Sequence, residues 1–178
     1  MIAGDKVYLK AVERNDLSQL KEWRNLPDFR KHFREYRELN SEMQEKWFEN
    51  VVVNDKNTIM FSIFCSDSNK LIGCCGLCYI NWVHRNADLS LYIGHENAYI
   101  DDIGFADDAC TLLLEYGFNE LNLHRIWTEI YEFDNKKKNL YEKLGFKQDA
   151  VLRDQYFYDG NWCNSMILSL LSFEFKSK

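Results

Sequence analysis

The segment LYIGHENAYIDDIGFADDACTLLLEYGF, residues 91–118, decides the fold. It begins as an apolar strand and, after a polar break at residues 94–99, continues as a helix. Apolar side chains recur in this helix at the i, i+3, i+4, i+7 spacing of one buried face: Ala109, Leu112, Leu113 and Tyr116. Between strand and helix, Gly104 and Ala106 are small enough for a ligand to approach the backbone. Because a helix that follows such a turn presents unpaired N–H groups at its positive end, the segment predicts a site for a phosphate group, such as the pyrophosphate of a cofactor.

Length and composition fit one globular domain. The chain has 178 residues, of which 46% are hydrophobic, so it can bury a sizeable core and is not expected to be disordered. Since no linker or repeat divides it, we expect a single domain over residues 1–178. The net charge of −6 leaves no basic excess to neutralise phosphates, which argues against nucleic acid as a partner.

The first residues and the cysteines favour a cytoplasmic location. We expect no signal peptide and no membrane partner, because no positively charged start precedes an apolar run and no stretch approaches transmembrane length. The six cysteines lie in predicted core segments and would be reduced there. Cys75 and Cys78 share an apolar strand and point to opposite faces, which favours packing over redox or metal chemistry. The four histidines lack ligand spacing, so no metal is expected.

The order of predicted elements indicates an α+β fold. Strands are expected at residues 6–10, 58–65, 71–80, 87–93, 125–133, 146–158 and 162–175. Besides the helix after the turn at residues 104–106, a helix is expected that is capped by Asn15 or Asp16 and ends at about Asn25. Two more are expected, one from Ser41, with Gln44 completing a capping box, and one at residues 135–144, which Gly145 ends. This order predicts a mixed sheet with helices on both faces.

Two side chains are candidates for acid–base chemistry. In the strand at residues 125–133, alternation places Glu129 on one face with Trp127 and Tyr131. Aromatic surroundings raise the pKa of a carboxyl toward the range of a general base, although a solvated, inert glutamate at the mouth of a cleft fits the pattern as well. The hydroxyl of Tyr141 could donate a proton to a leaving group or satisfy a hydrogen bond in the core, and spacing leaves both open.

The run LYEKLGF at residues 140–146, after a strand, a small-residue turn, a helix and a strand, resembles the GNAT superfamily of acetyl-CoA-dependent N-acetyltransferases. Residues 118–126 (FNELNLHRI) and 157–162 (FYDGNW) resemble, within it, the branch of ribosomal-protein alanine and amino-sugar-nucleotide acetyltransferases. The resemblance covers nearly the whole chain and is strongest over residues 89–171. It implies a mostly antiparallel, splayed sheet of about seven strands.

The resemblance implies acetyl-CoA as cosubstrate and assigns a loop to its pyrophosphate. The family's Gln/Arg-x-x-Gly-x-Gly/Ala loop matches residues 101–106, where Gly104, Phe105 and Ala106 would offer backbone N–H groups. Asp101 and Asp102 depart from this pattern. Their carboxylates should repel a pyrophosphate unless they point outward as helix N-terminal residues.

The pantetheine arm of acetyl-CoA is assigned by resemblance as well. It would lie along the backbone of Leu91, Tyr92 and Ile93, with an N–H near Tyr92 or Ile93 polarising the thioester carbonyl. The family often has an asparagine seven residues before the catalytic tyrosine. That position is Asp134 here, with Asn135 next to it, so the assignment is ambiguous.

The implied reaction is direct transfer of the acetyl group to a primary amine. Glu129 would take a proton from the amine, through water, and Tyr141 would protonate the departing sulfur. The acceptor is expected near the first two helices, at Trp23, Arg24, Asn25, Arg30 and Arg34. Arginines beside aromatic rings could hold the diphosphate of a nucleotide and stack its base, against the alternative of a solvated charged surface. Residues 23–25 (WRN) and 45–48 (EKWF) resemble the amino-sugar-nucleotide acetyltransferases, and this resemblance favours a nucleotide-linked amino sugar.

Three questions stay open at the level of sequence. The N-terminus of a protein, as for the ribosomal-protein enzymes, is the rival acceptor. A GNAT-fold binding module without catalysis is the alternative to an enzyme. An exposed sheet edge or apolar surface would permit a homodimer, which the sequence does not settle.

Overall fold

A computed structural model describes residues 1–176, and one open sheet organises them. Within that range the sheet has eight strands in the order β1-β2-β3-β4-β5-β6-β8-β7. The strands are β1 (Ile2–Ala3), β2 (Val7–Ala11), β3 (Ile59–Cys65), β4 (Leu71–Asn81), β5 (Asn86–Ile93), β6 (Arg125–Tyr131), β7 (Lys147–Tyr158) and β8 (Asn161–Leu171). Seven correspond to the predicted strands, and the eighth is the two-residue β1. The last two residues of the expected domain, 177–178, lie outside the described part.

Five α-helices connect and cover the strands of the described chain. They are α1 (Leu17–Asn25), α2 (Pro27–Arg30), α3 (Ser41–Trp47), α4 (Phe105–Glu115) and α5 (Asn135–Lys143). The expected start of α3 is wrong in one detail, because Asn40 caps it by accepting the N–H of Met43 at 2.8 Å. Gln44 does not complete a capping box, since its side chain is buried. Gly145 ends α5 with a φ of +93°, as expected.

The sheet is splayed in its middle, as the resemblance implied. Every strand pair is antiparallel except β5 and β6, which run parallel. These two strands pair only where Asn86, Ala87 and Asp88 meet Arg125, Ile126 and Trp127. Beyond Asp88 they separate, which leaves the facing backbone of β5 without a neighbouring strand.

Helices lie on both faces of the sheet. Adjacent residues of a strand point to opposite faces. In β4, Cys74 points to the face of the sheet that α1 covers, near Arg24 of that helix. Cys75 points to the opposite face, which α4 covers, near Cys110. Burial raises the pKa of the Cys75 thiol well above its ordinary value, so this thiol packs as an apolar group. All six cysteines are free.

Helix α4 is held against the sheet by an aspartate. The Asp108 carboxylate accepts the backbone N–H groups of Lys6 at 2.8 Å and Val7 at 3.0 Å, which ties the first turn of α4 to the start of β2. Because the acceptor is charged and nearly buried, these bonds are of the stronger kind. Along the rest of the helix, Ala109 and Leu113 are fully buried. None of the helices in residues 1–176 is long and apolar enough to span a membrane.

Candidate active site

A cavity of about 860 Å³ opens where β5 and β6 separate. Its walls include Leu89, Ser90 and Tyr92 of β5 and Thr128, Glu129 and Tyr131 of β6, and the segment from Arg24 to Met60 closes it from the other side. The sheet therefore builds the inner wall of the cavity, and the chain around α1–α3 builds its outer wall.

The backbone of β5 offers one unpaired residue to the gap. The Leu89 carbonyl accepts a hydrogen bond from the Thr128 hydroxyl at 3.1 Å, so the backbone N–H and C=O groups of Leu89 are directed toward β6. Backbone groups alternate in direction along a strand, so Leu91 and Ile93 face the same way, whereas Tyr92 faces β4 opposite Cys74. The N–H of Ile93 already donates to the Tyr99 carbonyl at 2.7 Å. Of the three residues assigned to pantetheine, Leu91 thus has its N–H and carbonyl directed into the gap.

Glu129 lines the cavity with polar partners that the strand pattern did not reveal. Its carboxylate accepts the Ser165 hydroxyl at 2.5 Å and lies 3.6 Å from the guanidinium of Arg34. The surroundings expected from sequence were aromatic, but a cation and a hydroxyl face this side chain. The side chain is 17% exposed, so a substrate in the cavity can reach it.

A second carboxylate, Asp88, lies beside Glu129. It is 4% exposed, and Arg34 donates to it at 2.7 Å. Burial raises the pKa of Asp88, and the guanidinium opposes this effect. Burial disfavours the charged form of Arg34, but the carboxylates of Asp88 and Glu129 outweigh this effect and raise the pKa of the guanidinium. Asp88 and Glu129 together therefore form a site for a cation, which Arg34 occupies.

Of the other residues expected at the acceptor, some line the cavity and some do not. Arg24 lines the cavity, with its guanidinium 5.0 Å from the centre of the Phe33 ring. Trp23 is buried against Gly94, where any Cβ would collide with the indole ring. Asn25 exchanges two hydrogen bonds of 2.8 Å with the backbone of Leu39. It thereby fixes the loop that carries Arg34.

Arg30 lies beside a carboxylate and does not line the cavity. Its guanidinium lies 3.6 Å from Glu38, in a pair that is exposed on the glutamate side. Arg34 is likewise paired with carboxylates, those of Asp88 and Glu129. Of the five expected acceptor residues, Arg24 and Arg34 are the two that line the cavity.

Tyr141 is fully buried on α5, and its hydroxyl has no hydrogen-bond partner among the described residues. Burial raises the pKa of this hydroxyl well above its ordinary value, so it stays protonated. Lys137 lies one helical turn earlier on the same face and lines the cavity. Tyr141 does not itself line the cavity, but its hydroxyl lies close to Thr128, which does. A buried, protonated and unpartnered hydroxyl in this position is suited to donate a proton to a bound ligand.

Asp134 and Asn135 have different roles at the start of α5. Asp134 caps the helix, accepting the N–H of Lys137 at 3.1 Å and the hydroxyl of Tyr99 at 3.0 Å. Burial favours a higher pKa for Asp134, but the His32 imidazole, whose Nδ1 lies 3.3 Å from the carboxylate, and the charge of Lys137 lower it. Asn135 is exposed, and both residues line a second cavity of about 600 Å³. The carboxylate of Asp134 is already used in hydrogen bonds within the protein, so of the two side chains the amide of Asn135 is the one that could contact pantetheine.

The loop assigned to the pyrophosphate holds a carboxylate of its own. Asp101 accepts the N–H groups of Ile103, Gly104, Phe105 and Ala106, at distances between 2.7 and 3.0 Å. These include all three N–H groups that the resemblance assigned to the pyrophosphate. Asp102, by contrast, is exposed, so the outward orientation that was considered for both aspartates is found for Asp102 alone.

The two ends of an acetyl-CoA site therefore differ in their fit. The thioester end fits, because Leu91 has a free edge and the Tyr141 hydroxyl lacks a partner. The diphosphate end does not fit as it stands, because Asp101 occupies the N–H groups at the start of α4. As for metals, the described residues contain no group of three or more histidine, cysteine or acidic side chains that could hold an ion.

Sequence reasoning missed Asp88 and Lys137. Each had a detectable signal: Asp88 interrupts the apolar strand β5, and Lys137 precedes Tyr141 by four residues on a helix whose inner face is otherwise apolar. A charged residue at a position that the pattern marks as buried needs a partner or a ligand.

Comparison with known proteins supplies the family context. Residues 6–147 match the family model described as an acetyltransferase (GNAT) domain. A spermidine N(1)-acetyltransferase of Vibrio cholerae serotype O1 is 29% identical over 160 residues, which are 89% of this chain and 89% of that relative.

Two solved structures extend the match to three dimensions. A crystal structure of the Vibrio cholerae spermidine N-acetyltransferase in complex with CoA and spermine is 26% identical, with a TM-score of 0.86 over 95% of this chain and 97% of that one. A dodecameric structure of the spermidine N-acetyltransferase from Vibrio cholerae, in an intermediate state, is also 26% identical. It has a TM-score of 0.77 over 94% of each chain.

Proposed function

The chain belongs to the GNAT family of acetyltransferases, and on that premise we propose that it acetylates a primary amine of a polyamine. It is an N-acetyltransferase with acetyl-CoA as its cosubstrate. The proposal adds the acceptor and the residues that act on it.

The identity of the relatives supports a polyamine over the acceptors expected from sequence. The relatives that match about nine-tenths of the chain or more include spermidine N-acetyltransferases. The narrower resemblance to ribosomal-protein and amino-sugar-nucleotide enzymes has no such support.

The observation that carries the proposal is the cation site at the splay. The carboxylates of Asp88 and Glu129 hold the Arg34 guanidinium at 2.7 and 3.6 Å, beside the free edge of β5. A guanidinium and an alkylammonium have the same charge and both donate N–H bonds, so the site can take an ammonium group when Arg34 withdraws. Arg34 is able to withdraw, because its side chain is 46% exposed.

In the mechanism that we propose, Glu129 accepts a proton from the acceptor ammonium and leaves a neutral amine. The amine nitrogen forms a bond to the acetyl carbon, and the carbon–sulfur bond breaks. The N–H of Leu91 is directed to the gap and would polarise the thioester carbonyl. Tyr141 would give its proton to the departing sulfur, for which its unpartnered hydroxyl is suited, and would regain a proton from the nitrogen, which loses its second proton as the amide forms. Holding both reactants in the cavity supplies much of the rate acceleration.

A screen of acceptors tests this function. The protein would be incubated with acetyl-CoA and one of four amines: spermidine, spermine, an N-terminal peptide or an amino-sugar nucleotide. We expect CoA release with the polyamines, with acetylated product identified by mass spectrometry. Turnover of the peptide or the nucleotide in preference to both polyamines would overturn the acceptor assignment.

We further propose that several copies of the chain assemble, and that the partners are other copies of itself and the small amine. Support comes from the dodecameric relative and from large apolar side chains that are exposed on β7 and β8: Val151, Phe157, Tyr158 and Trp162. A cytoplasmic location, expected from sequence, stays a prediction.

A further inference from the structure

The start of α4 contains an anion site that is already filled from within the chain. Both oxygens of Asp101 take part: Oδ2 accepts the N–H groups of Ile103 at 3.0 Å, Gly104 at 2.7 Å and Phe105 at 2.8 Å, and Oδ1 accepts that of Ala106 at 2.7 Å. Gly104 makes this arrangement possible, because its φ of +98° turns the chain so that successive N–H groups converge.

A carboxylate in this position competes strongly with other anions. Asp101 is 8% exposed, and its four hydrogen bonds are charge-assisted. It is also intramolecular, so its effective concentration at the N–H groups is far higher than that of any free anion. Asp102 and Asp107 in the same turn add negative charge, although Lys143 is paired with Asp107. A diphosphate can bind these N–H groups only after Asp101 has left them.

We propose that Asp101 determines donor specificity, so that this chain accepts acetyl thioesters of pantetheine-type thiols, which lack the nucleotide diphosphate, nearly as well as acetyl-CoA. The inference rests on the acetyl transfer proposed above but not on which amine is acetylated. Binding energy for the donor then comes from the gap beside β5, where Leu91 has a free backbone edge. The nucleotide end contributes little, because its diphosphate must first displace an internal anion.

The reaction with such a donor balances without any further reactant. The amine nitrogen forms a bond to the acetyl carbon, and the carbon–sulfur bond breaks. The sulfur leaves with the electron pair and takes up one proton, while the nitrogen loses one, so that the products are an amide and free pantetheine. Nothing in these steps requires the diphosphate, which is remote from the reacting atoms.

Calorimetric titration with CoA and with pantetheine tests the proposal without any turnover. For the wild-type protein we expect the two affinities to agree within about tenfold. The variant Asp101→Asn removes the charge but keeps the shape of the side chain, and CoA should bind it at least about tenfold more tightly. The reason is that a charge-assisted hydrogen bond is stronger than a neutral one by a free energy that corresponds to about tenfold in affinity. Pantetheine affinity should stay the same. Asp102→Asn is the matched control, since it removes the same charge from an exposed side chain; it should change CoA affinity by less than about threefold.

The outcomes separate the inference from the function on which it rests. If wild-type protein binds CoA more than about tenfold better than pantetheine, or if Asp101→Asn binds CoA no better than Asp102→Asn does, the inference is wrong and the acetyltransferase stands. If neither ligand binds any of the proteins, the donor site itself is refuted. Melting curves exclude misfolding of Asp101→Asn. In a parallel titration, inorganic pyrophosphate should bind this variant, whose loop N–H groups face a neutral and weaker acceptor, and should not bind the wild-type protein.

Discussion

At the scale of single residues, Tyr141 allows catalysis and stability to be separated. Its hydroxyl is buried without a partner among the described residues, so removing it leaves no broken hydrogen bond. We expect Tyr141→Phe to lower kcat by about a hundredfold, in the range of lost acid catalysis, and not to lower the melting temperature. Steady-state kinetics and thermal melts measure the two effects.

The control for Tyr141 is Tyr99→Phe. The Tyr99 hydroxyl donates to Asp134 at 3.0 Å, so its loss should cost about 1 kcal/mol of stability. A lower melting temperature for Tyr141→Phe with unchanged kcat would show that its hydroxyl has a structural role only.

Glu129 is the second residue for which kinetics can decide the role. Glu129→Gln keeps a hydrogen-bond acceptor for Ser165 but cannot take a proton from the amine. We expect kcat to fall between about a hundredfold and ten-thousandfold. Glu120→Gln, an exposed glutamate outside the cavity lining, is the control and should have wild-type kcat. Equal kcat for both variants would remove Glu129 as the general base.

Lys137 should make stability depend on alkaline pH. Desolvation by burial lowers the pKa of this lysine, against the opposing charges of Asp134 and Asp88. Between the lowered pKa of the native protein and the ordinary pKa of the unfolded chain, the unfolded chain binds more protons. The free energy of unfolding therefore rises with pH over this range, and it falls again as the pH is lowered toward the native pKa.

Comparison with Lys137→Met isolates this effect, because the other titrating groups are the same in both proteins. We expect the free energy of unfolding of the wild type, measured relative to that of Lys137→Met, to increase as pH is raised from about 7 to about 10. Urea denaturation at several pH values measures the difference. A difference that does not change with pH would mean that the lysine titrates alike in the native and unfolded states.

At the scale of elements, the contact between α4 and β2 is concentrated in Asp108. Its two hydrogen bonds reach backbone N–H groups that are 101 and 102 residues away in the chain. We expect Asp108→Ala to lower the free energy of unfolding by about 2–4 kcal/mol, because it leaves buried donors without a partner. Asp107→Ala is the control: its partner Lys143 is 69% exposed, and the loss should stay below about 1 kcal/mol. Denaturant titration gives both values, and equal losses would contradict the anchoring role.

The elements themselves were largely predictable, because helices and strands follow local patterns. The strand at residues 71–80 and the helix at residues 135–144 were predicted within one residue of β4 and α5. The missed strand, β1, has two residues and therefore no periodicity to detect. The cap of α3 was misplaced by one residue, because asparagine and serine both cap helices well and the choice depends on the backbone.

At the scale of the whole molecule, exposed aromatic rings on the closing hairpin point to self-association. Phe157 and Trp162 are 56% and 62% exposed and contact each other at 5.1 Å between ring centres. We expect light scattering to give a mass that is a multiple of 21.3 kDa, and Trp162→Asp to reduce it. Val83→Asp, in an exposed turn between β4 and β5, is the control. A monomer at all concentrations would exclude the assembly.

The sequence by itself determined the family, the order of elements and the positions of Glu129, Tyr141 and the small-residue turn. These features are encoded by neighbours in the chain: the periodicity of apolar residues, a glycine where φ must be positive, and one continuous run, LYEKLGF. Only the tertiary structure decided how the charges are shared. Arg34 meets Asp88 across 54 residues, and this pairing turned an expected phosphate site into a cation site. For Asp101, repulsion of a ligand and capping of the loop were equally compatible with the residue type. The convergence of four N–H groups on its carboxylate decided between them, because a carboxylate lowers its free energy most where several donors point at one place.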